Sequence, residues 1–113
     1  MIFKYPLNES TLKKTQRKKD KSGYIYIVAN KAWQGWYKVG MCIETEHRLA
    51  NFQIGSPHRD YEMLYSKYFT DRLQAESDAH ILLEKNSEER REEWFKIPLQ
   101  TAIDKIEKEL KWK

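Results

Sequence analysis

Gly23-Tyr24-Ile25-Tyr26-Ile27, then Lys38-Val39-Gly40, then Arg48 eight residues after Gly40, is the stretch whose reading decides the fold. Tyr24 to Ala29 is β-branched and aromatic, a composition that fits a pleated, half-buried surface, so it reads as a strand. Asn30 to Gly35 (NKAWQG) is a loop, and Trp36 to Val39 is the partner strand of a hairpin. Side chains repeat every second residue along a strand, which places Tyr24 and Tyr26 on one face and sends Tyr37 to the face opposite Lys38.

Outward from the hairpin, element types alternate. Glu44 to about Phe52 is a short helix that turns Leu49 and Phe52 toward the core and ends at Gly55-Ser56-Pro57. Tyr61 to Phe69 is a third strand, with Tyr61, Met63, Tyr65 and Phe69 assigned to one face and Leu64 and Tyr68 to the other. Asp71 is placed to cap a helix from about Arg72 to Lys85, whose buried face is Ala75, Ala79, Leu82 and Leu83. Glu88 to Glu93 (EERREE) reads as a solvated loop or helix end, Glu93 to Ile97 as a short extended piece, and Pro98 opens a closing helix. Its apolar stripe is Leu99, Ala102, Ile103, Ile106 and Leu110. The expectation is an α+β fold: a small, three-stranded, mainly antiparallel sheet flanked by helices, in the order ββαβα plus a C-terminal helix.

The charge is concentrated at one end. The formal net charge of the 113-residue chain is +4. Residues 1–22 carry seven basic residues against Glu9 and Asp20, a net of +5, so residues 23–113 hold the remaining −1. The cluster at Lys13, Lys14, Arg17, Lys18, Lys19 and Lys21 has no apolar periodicity and reads as a flexible basic arm on a single domain at 23–113. It is either a solubilising tail or a phosphate-contacting segment, and nucleic acid is the partner that would use it, by counterion release. One cysteine, Cys42, excludes an internal disulfide framework and there is no paired Cys/His spacing for structural zinc. No apolar run approaches the roughly 20 residues of a membrane span, so the expectation is a soluble, cytoplasmic protein without a membrane partner.

Taken together, the GYIYI and KVG runs, Arg48, and Glu76 in the helix after the third strand resemble the GIY-YIG nucleases. The resemblance covers about residues 23 to 97. It is nearest to a branch common in phage and microbial reading frames, which has a KIG-like second motif, a histidine shortly after the glutamate and a terminal EWF motif; here these are KVG, His80 after Glu76, and Glu93-Trp94-Phe95. The resemblance implies metal-dependent hydrolysis of DNA phosphodiester bonds, RNA remaining open, in a microbial or phage-infected cell. It assigns catalytic roles to Tyr26, Lys38, Arg48, Glu76 and His80, with Mg2+ or Mn2+ on Glu76. The rival expectation is a catalytically silent nucleic-acid- or protein-binding module that keeps the fold.

Phosphodiester hydrolysis needs an activated water, positive charge on the phosphate and help for the leaving oxygen. Glu76 sits at the edge of its helix's buried face, where a carboxylate is half desolvated and either reaches water or meets a cation. His80, one turn on, is a proton shuttle, a phosphate donor or a structural histidine; His47 has the same alternatives. Lys38 replaces the tyrosine expected in the second motif. It either lowers the phenol pKa of Tyr26, making that phenol the base, or is the base itself. Trp33 and Trp36 flank the hairpin loop and either stack on bases or pack back onto the sheet.

Overall fold

The computed structural model describes residues 20–110. Among these, five strands form one antiparallel sheet in the order β3-β1-β2-β5-β4. The strands are β1 (Gly23–Asn30), β2 (Trp36–Cys42), β3 (Tyr61–Phe69), β4 (Glu89–Arg91) and β5 (Trp94–Lys96). Three helices accompany them: α1 (Thr45–Ile54), α2 (Arg72–Asn86) and α3 (Leu99–Glu109). The α+β class is as expected, and the three-stranded sheet is corrected to five. The two added strands are three residues each, and β4 lies in the EERREE run, where six consecutive charged residues conceal any alternation. Arg91 pairs with Trp94 across a two-residue turn of Glu92 and Glu93, with Glu92 at φ 55. The charged run is thus half of a hairpin whose other strand, with Phe95 fully buried, supplies the apolar anchor.

Strand parity divides the molecule into two layers. Ile25, Ile27 and Val39 point to one face and meet Phe69, Phe95, Ala75, Ala79 and Leu83, with Ala102, Ile106 and Leu110 of the α3 stripe closing the main core. Asp71 accepts from the Gln74 backbone N–H at 3.1 Å, so the cap that starts α2 is the one the sequence offers. The opposite face carries Tyr26, Val28 and Cys42 under α1, with Phe52 and Met63 packed against them. This second core is thin, and α1 contains no fully buried residue.

A bulge in β3 overturns part of the expected parity. Tyr65 pairs with Ile27, but Met63 pairs with Val28, leaving Leu64 as the extra residue. Met63 and Tyr65 therefore face opposite layers instead of sharing one: Tyr65 packs on the main core, Met63 on the α1 side. The bulge also turns Tyr61 toward Phe52, where the rings stack at 5.2 Å. Among the described residues no helix is long and apolar enough to cross a membrane. Cys42 is a free, buried thiol.

Candidate active site

Tyr26 and Gly40 are direct partners in the β1/β2 ladder. The phenol lies across the glycine so closely that a Cβ at position 40 would come within 2.6 Å of the Tyr26 oxygen. This is the physical reason for glycine at the end of KVG. Gly23 is held in the same way, since a Cβ there would meet the Cys42 carbonyl at 2.6 Å and the Arg72 side chain at 2.7 Å. The Tyr26 ring is edge-on to Phe52 of α1, at 6.1 Å, and is 2% exposed. Burial pushes its phenol up to about 12, only partly countered by Arg48, while Glu93 and Glu76 raise it further. The expected lysine-activated phenolate is therefore corrected: removal from water outweighs the nearby cation.

Lys38 does lie on the same face as Tyr26, as strand parity requires. Its ammonium, however, is 3.0 Å from Glu93 Oε1 and 5.9 Å from the Phe52 ring centre. The ion pair ties Lys38 to the β4–β5 turn. Glu93 was legible only as part of the EWF run. The β4–β5 turn carries its carboxylate into the site, where it acts on Tyr26 and Glu76 as well as Lys38.

Glu76 and His80 come from α2 and meet the open edge of β2. β5 pairs with β2 only from Trp36 to Lys38, so beyond it the β2 backbone would be unpaired. The Val39 N–H donates to the Glu93 carbonyl at 2.9 Å, His80 Nε2 donates to the Val39 carbonyl at 2.7 Å, and the Met41 backbone hydrogen-bonds Glu76. These two side chains, four residues apart on one helix face, complete the edge where the hairpin stops. This contact gives His80 a structural role at the β2 edge, with Nε2 facing the Val39 carbonyl. Glu76 is half-buried as its place on the helix required, and burial pushes its carboxyl up, against the lowering effects of His80, Met41 and Lys38.

Arg48 projects from α1 into a cleft of about 420 Å³ that it lines with His47, Asn51, Arg72, Cys42 and Met41. It is exposed, because α1 is too lightly covered to enclose it. Its charge still reaches Tyr26 and the Cys42 thiol. Arg72, unassigned from sequence, is anchored by hydrogen bonds to the Ser22 and Asp20 carbonyls at 3.0 and 3.4 Å. His47 is exposed beside Glu44, at 3.5 Å, on the rim of the same cleft as Arg48. Of the basic arm, Lys13, Lys14, Arg17, Lys18 and Lys19 lie outside the described residues; Lys21 is exposed, and its carbonyl accepts from the Arg72 N–H at 2.7 Å.

The arrangement is an α+β domain with one polar, electrostatically coupled group on a sheet face: Tyr26, Lys38, Arg48, Glu76 and Glu93. Residues 23–111 match the family model of the T5orf172 domain, and the chain belongs to that family. This corrects the resemblance to the GIY-YIG nucleases, which rested on three-residue motifs. At Lys38 one of those motifs lacks its tyrosine, and Tyr37 faces the main core on the other side of the sheet. No curated protein and no solved structure matches the chain.

Proposed function

We propose that this domain is a metal-assisted endonuclease that hydrolyses phosphodiester bonds in DNA. The observation that carries the reading is the half-buried Glu76 carboxylate, raised by burial and facing the same small group as Arg48 and Tyr26. In a domain that only bound nucleic acid the cations would suffice, and the Glu76 carboxylate would serve only as the partner of the Met41 backbone at the β2 edge. Association of the T5orf172 family with nuclease-like and DNA-binding modules supports a nucleic-acid-related role.

Each residue has a task consistent with its surroundings. The exposed Arg48 and the half-buried Lys38 attract the phosphate and offset the negative charge that grows on it during attack. Burial holds the Tyr26 proton well above its ordinary range. Enclosed by Phe52 and Gly40, its phenol forms part of the floor of the site beneath the cations. Glu76 is the residue that would hold a magnesium or manganese ion, whose chemistry is to polarise the phosphate. Among the described residues no three His, Cys, Asp or Glu side chains are grouped so as to hold a metal ion between them, so Glu76 would share the cation with phosphate and water, the usual habit of Mg2+. His80 positions Glu76 and β2.

Supercoiled plasmid should be nicked by the purified protein with magnesium or manganese, and EDTA should stop it. One observation favours the rival silent module: Lys38 and His80 are already engaged, with Glu93 and the Val39 carbonyl. Plasmid that is retarded but stays supercoiled with either metal, over a range of pH, would establish that rival. The arm is assigned to phosphate contact. Removing residues 1–19, which spares the Arg72 anchors at Asp20 to Ser22, should flatten the dependence of log affinity on log salt by about 0.9 per lost contact. An unchanged slope would return the arm to solubility.

A further inference from the structure

Beside the polar group, on the same face of the sheet, is a second feature that hydrolysis does not use. Trp33, Trp36 and Trp94 line a pocket of about 230 Å³, and Arg91 completes its wall. The placement follows from register. Trp94 is opposite Lys38 in the β2/β5 ladder, Trp36 is two residues before Lys38, and Arg91 is opposite Trp94, so all three point to the Tyr26 side. Trp33 leans in from the hairpin loop, edge-on to Trp94 at 5.5 Å and tilted to Tyr61 at 6.5 Å, yet remains 49% exposed. Loop packing therefore explains where Trp33 rests but not why three indoles enclose a space instead of filling it.

We propose that this pocket seats one unpaired nucleobase of the strand whose phosphate lies at Arg48 and Lys38. The chemistry of the walls points to that occupant. Indole faces stack on any base, and a guanidinium at the rim adds a cation to the π-system and a donor for a phosphate or base edge. Arg91 keeps its charge in place through Glu89 at 2.8 Å while its side chain is 75% exposed. The spacing agrees: two residues along β2 from Lys38 to Trp36 span about 7 Å, a distance of about one nucleotide of an extended strand. A continuous duplex offers no free base here, so the pocket selects single-stranded, frayed or locally opened DNA. This inference rests on the proposed action on nucleic acid, but its measurement is binding, not cutting.

The full-length protein would be titrated, without divalent metal, with a short single-stranded oligonucleotide and with the same strand carrying an abasic site at each position in turn. Tryptophan fluorescence follows the binding. One abasic position should weaken binding by about tenfold to a hundredfold, and Trp33→Ala should lose a similar factor on the intact strand. The two losses should not add: Trp33→Ala should bind the intact and the abasic strand equally. Trp33→Phe, which keeps a ring on the exposed loop, should retain most of the discrimination. Discrimination should also persist at high salt, where phosphate contacts weaken. Abasic strands bound as tightly as intact ones at every position would overturn the proposal, as would an equal loss by Trp33→Ala on both strands. Plasmid nicking without base discrimination would sink the pocket and leave hydrolysis standing; discrimination without nicking would do the reverse.

Discussion

The two faces of the sheet are built from the same strands and have opposite characters. On one, α2 and α3 press a continuous apolar layer onto Ile25, Ile27, Val39 and Phe95, all fully buried. On the other, α1 lies over three buried residues without burying any of its own, and the remaining area is given to ions, a phenol and indoles. A thin cover lets Arg48 reach solvent while Lys38 and Glu76 are half-buried and Tyr26 is enclosed. Apolar burial is concentrated in one layer and the candidate site in the other, and mutations should separate them.

The largest effect should come from the sealed face. Phe95→Ala removes a wholly buried ring and should cost about 3–5 kcal/mol in denaturant unfolding. Phe52→Ala, on the half-covered face, should cost well under half of that, since Phe52 is only partly buried. Equal losses would mean that the α1 layer is as much a core as the other, and the contrast would fail.

Next in size are the charges of the open face. Arg48→Ala and Glu76→Gln should each lower single-turnover plasmid cleavage by about 10²–10³-fold, the usual cost of losing one electrostatic contact to a transition state. Stability should move the other way at Glu76. A carboxyl whose folded pKa is raised by burial contributes stability present below its unfolded value and lost as pH rises through the folded one, so at neutral pH its ion is a burden. Glu76→Gln should therefore melt slightly above the wild type at pH 7, and the gain should vanish near pH 4. A lower melting temperature at pH 7 would show that the Met41 hydrogen bond, not the charge, decides the site's energetics.

Gly40→Ala tests whether the motif glycine is there for Tyr26. Its methyl would overlap the phenol, so about 1–3 kcal/mol of stability should be lost through overpacking. The double variant Gly40→Ala with Tyr26→Ala should recover part of this, since the obstruction is gone. Simple additivity in thermal melts would place the strain elsewhere.

The smallest effect is alkaline. The folded state holds the Tyr26 proton to about pH 12, against about 10 in the unfolded chain, and Tyr65, hydrogen-bonded to Glu107, is raised further. Stability from these phenols is complete below about pH 10 and is lost as pH rises through the folded values. Tyr26→Phe should flatten the Tyr26 part of that decline between pH 10 and 12. An unaltered curve would mean that Tyr26 is more open to water than its packing under Phe52 indicates.

Much of this molecule was legible residue by residue. The β3 bounds, the Asp71 cap and the α3 stripe follow from alternation, helix-end hydrogen bonding and a helical period, all of which act within a few residues. So did the half-buried position of Glu76, which depends only on its angle around α2. The bulge at Leu64 was hidden because strand parity is read on the assumption that no residue is inserted. The β4 strand was hidden because its pairing is dictated by β5 and by the core beneath Phe95, not by its own charges.

By itself, the sequence determined the α+β class, the hairpin, the helices and the presence of Tyr26, Lys38, Arg48 and Glu76 in one order along the chain. Only the tertiary structure decided what those residues are. Glu93 became the partner of Lys38 because a tight turn swings it back over β2, and His80 became a backbone brace because β5 ends early and leaves Val39 exposed at an edge. Tyr26 stayed a phenol because Phe52, Gly40 and Cys42 enclose it. Local sequence sets backbone preference and side-chain direction, whereas protonation and pairing depend on which distant groups displace water, and that is settled when the layers pack.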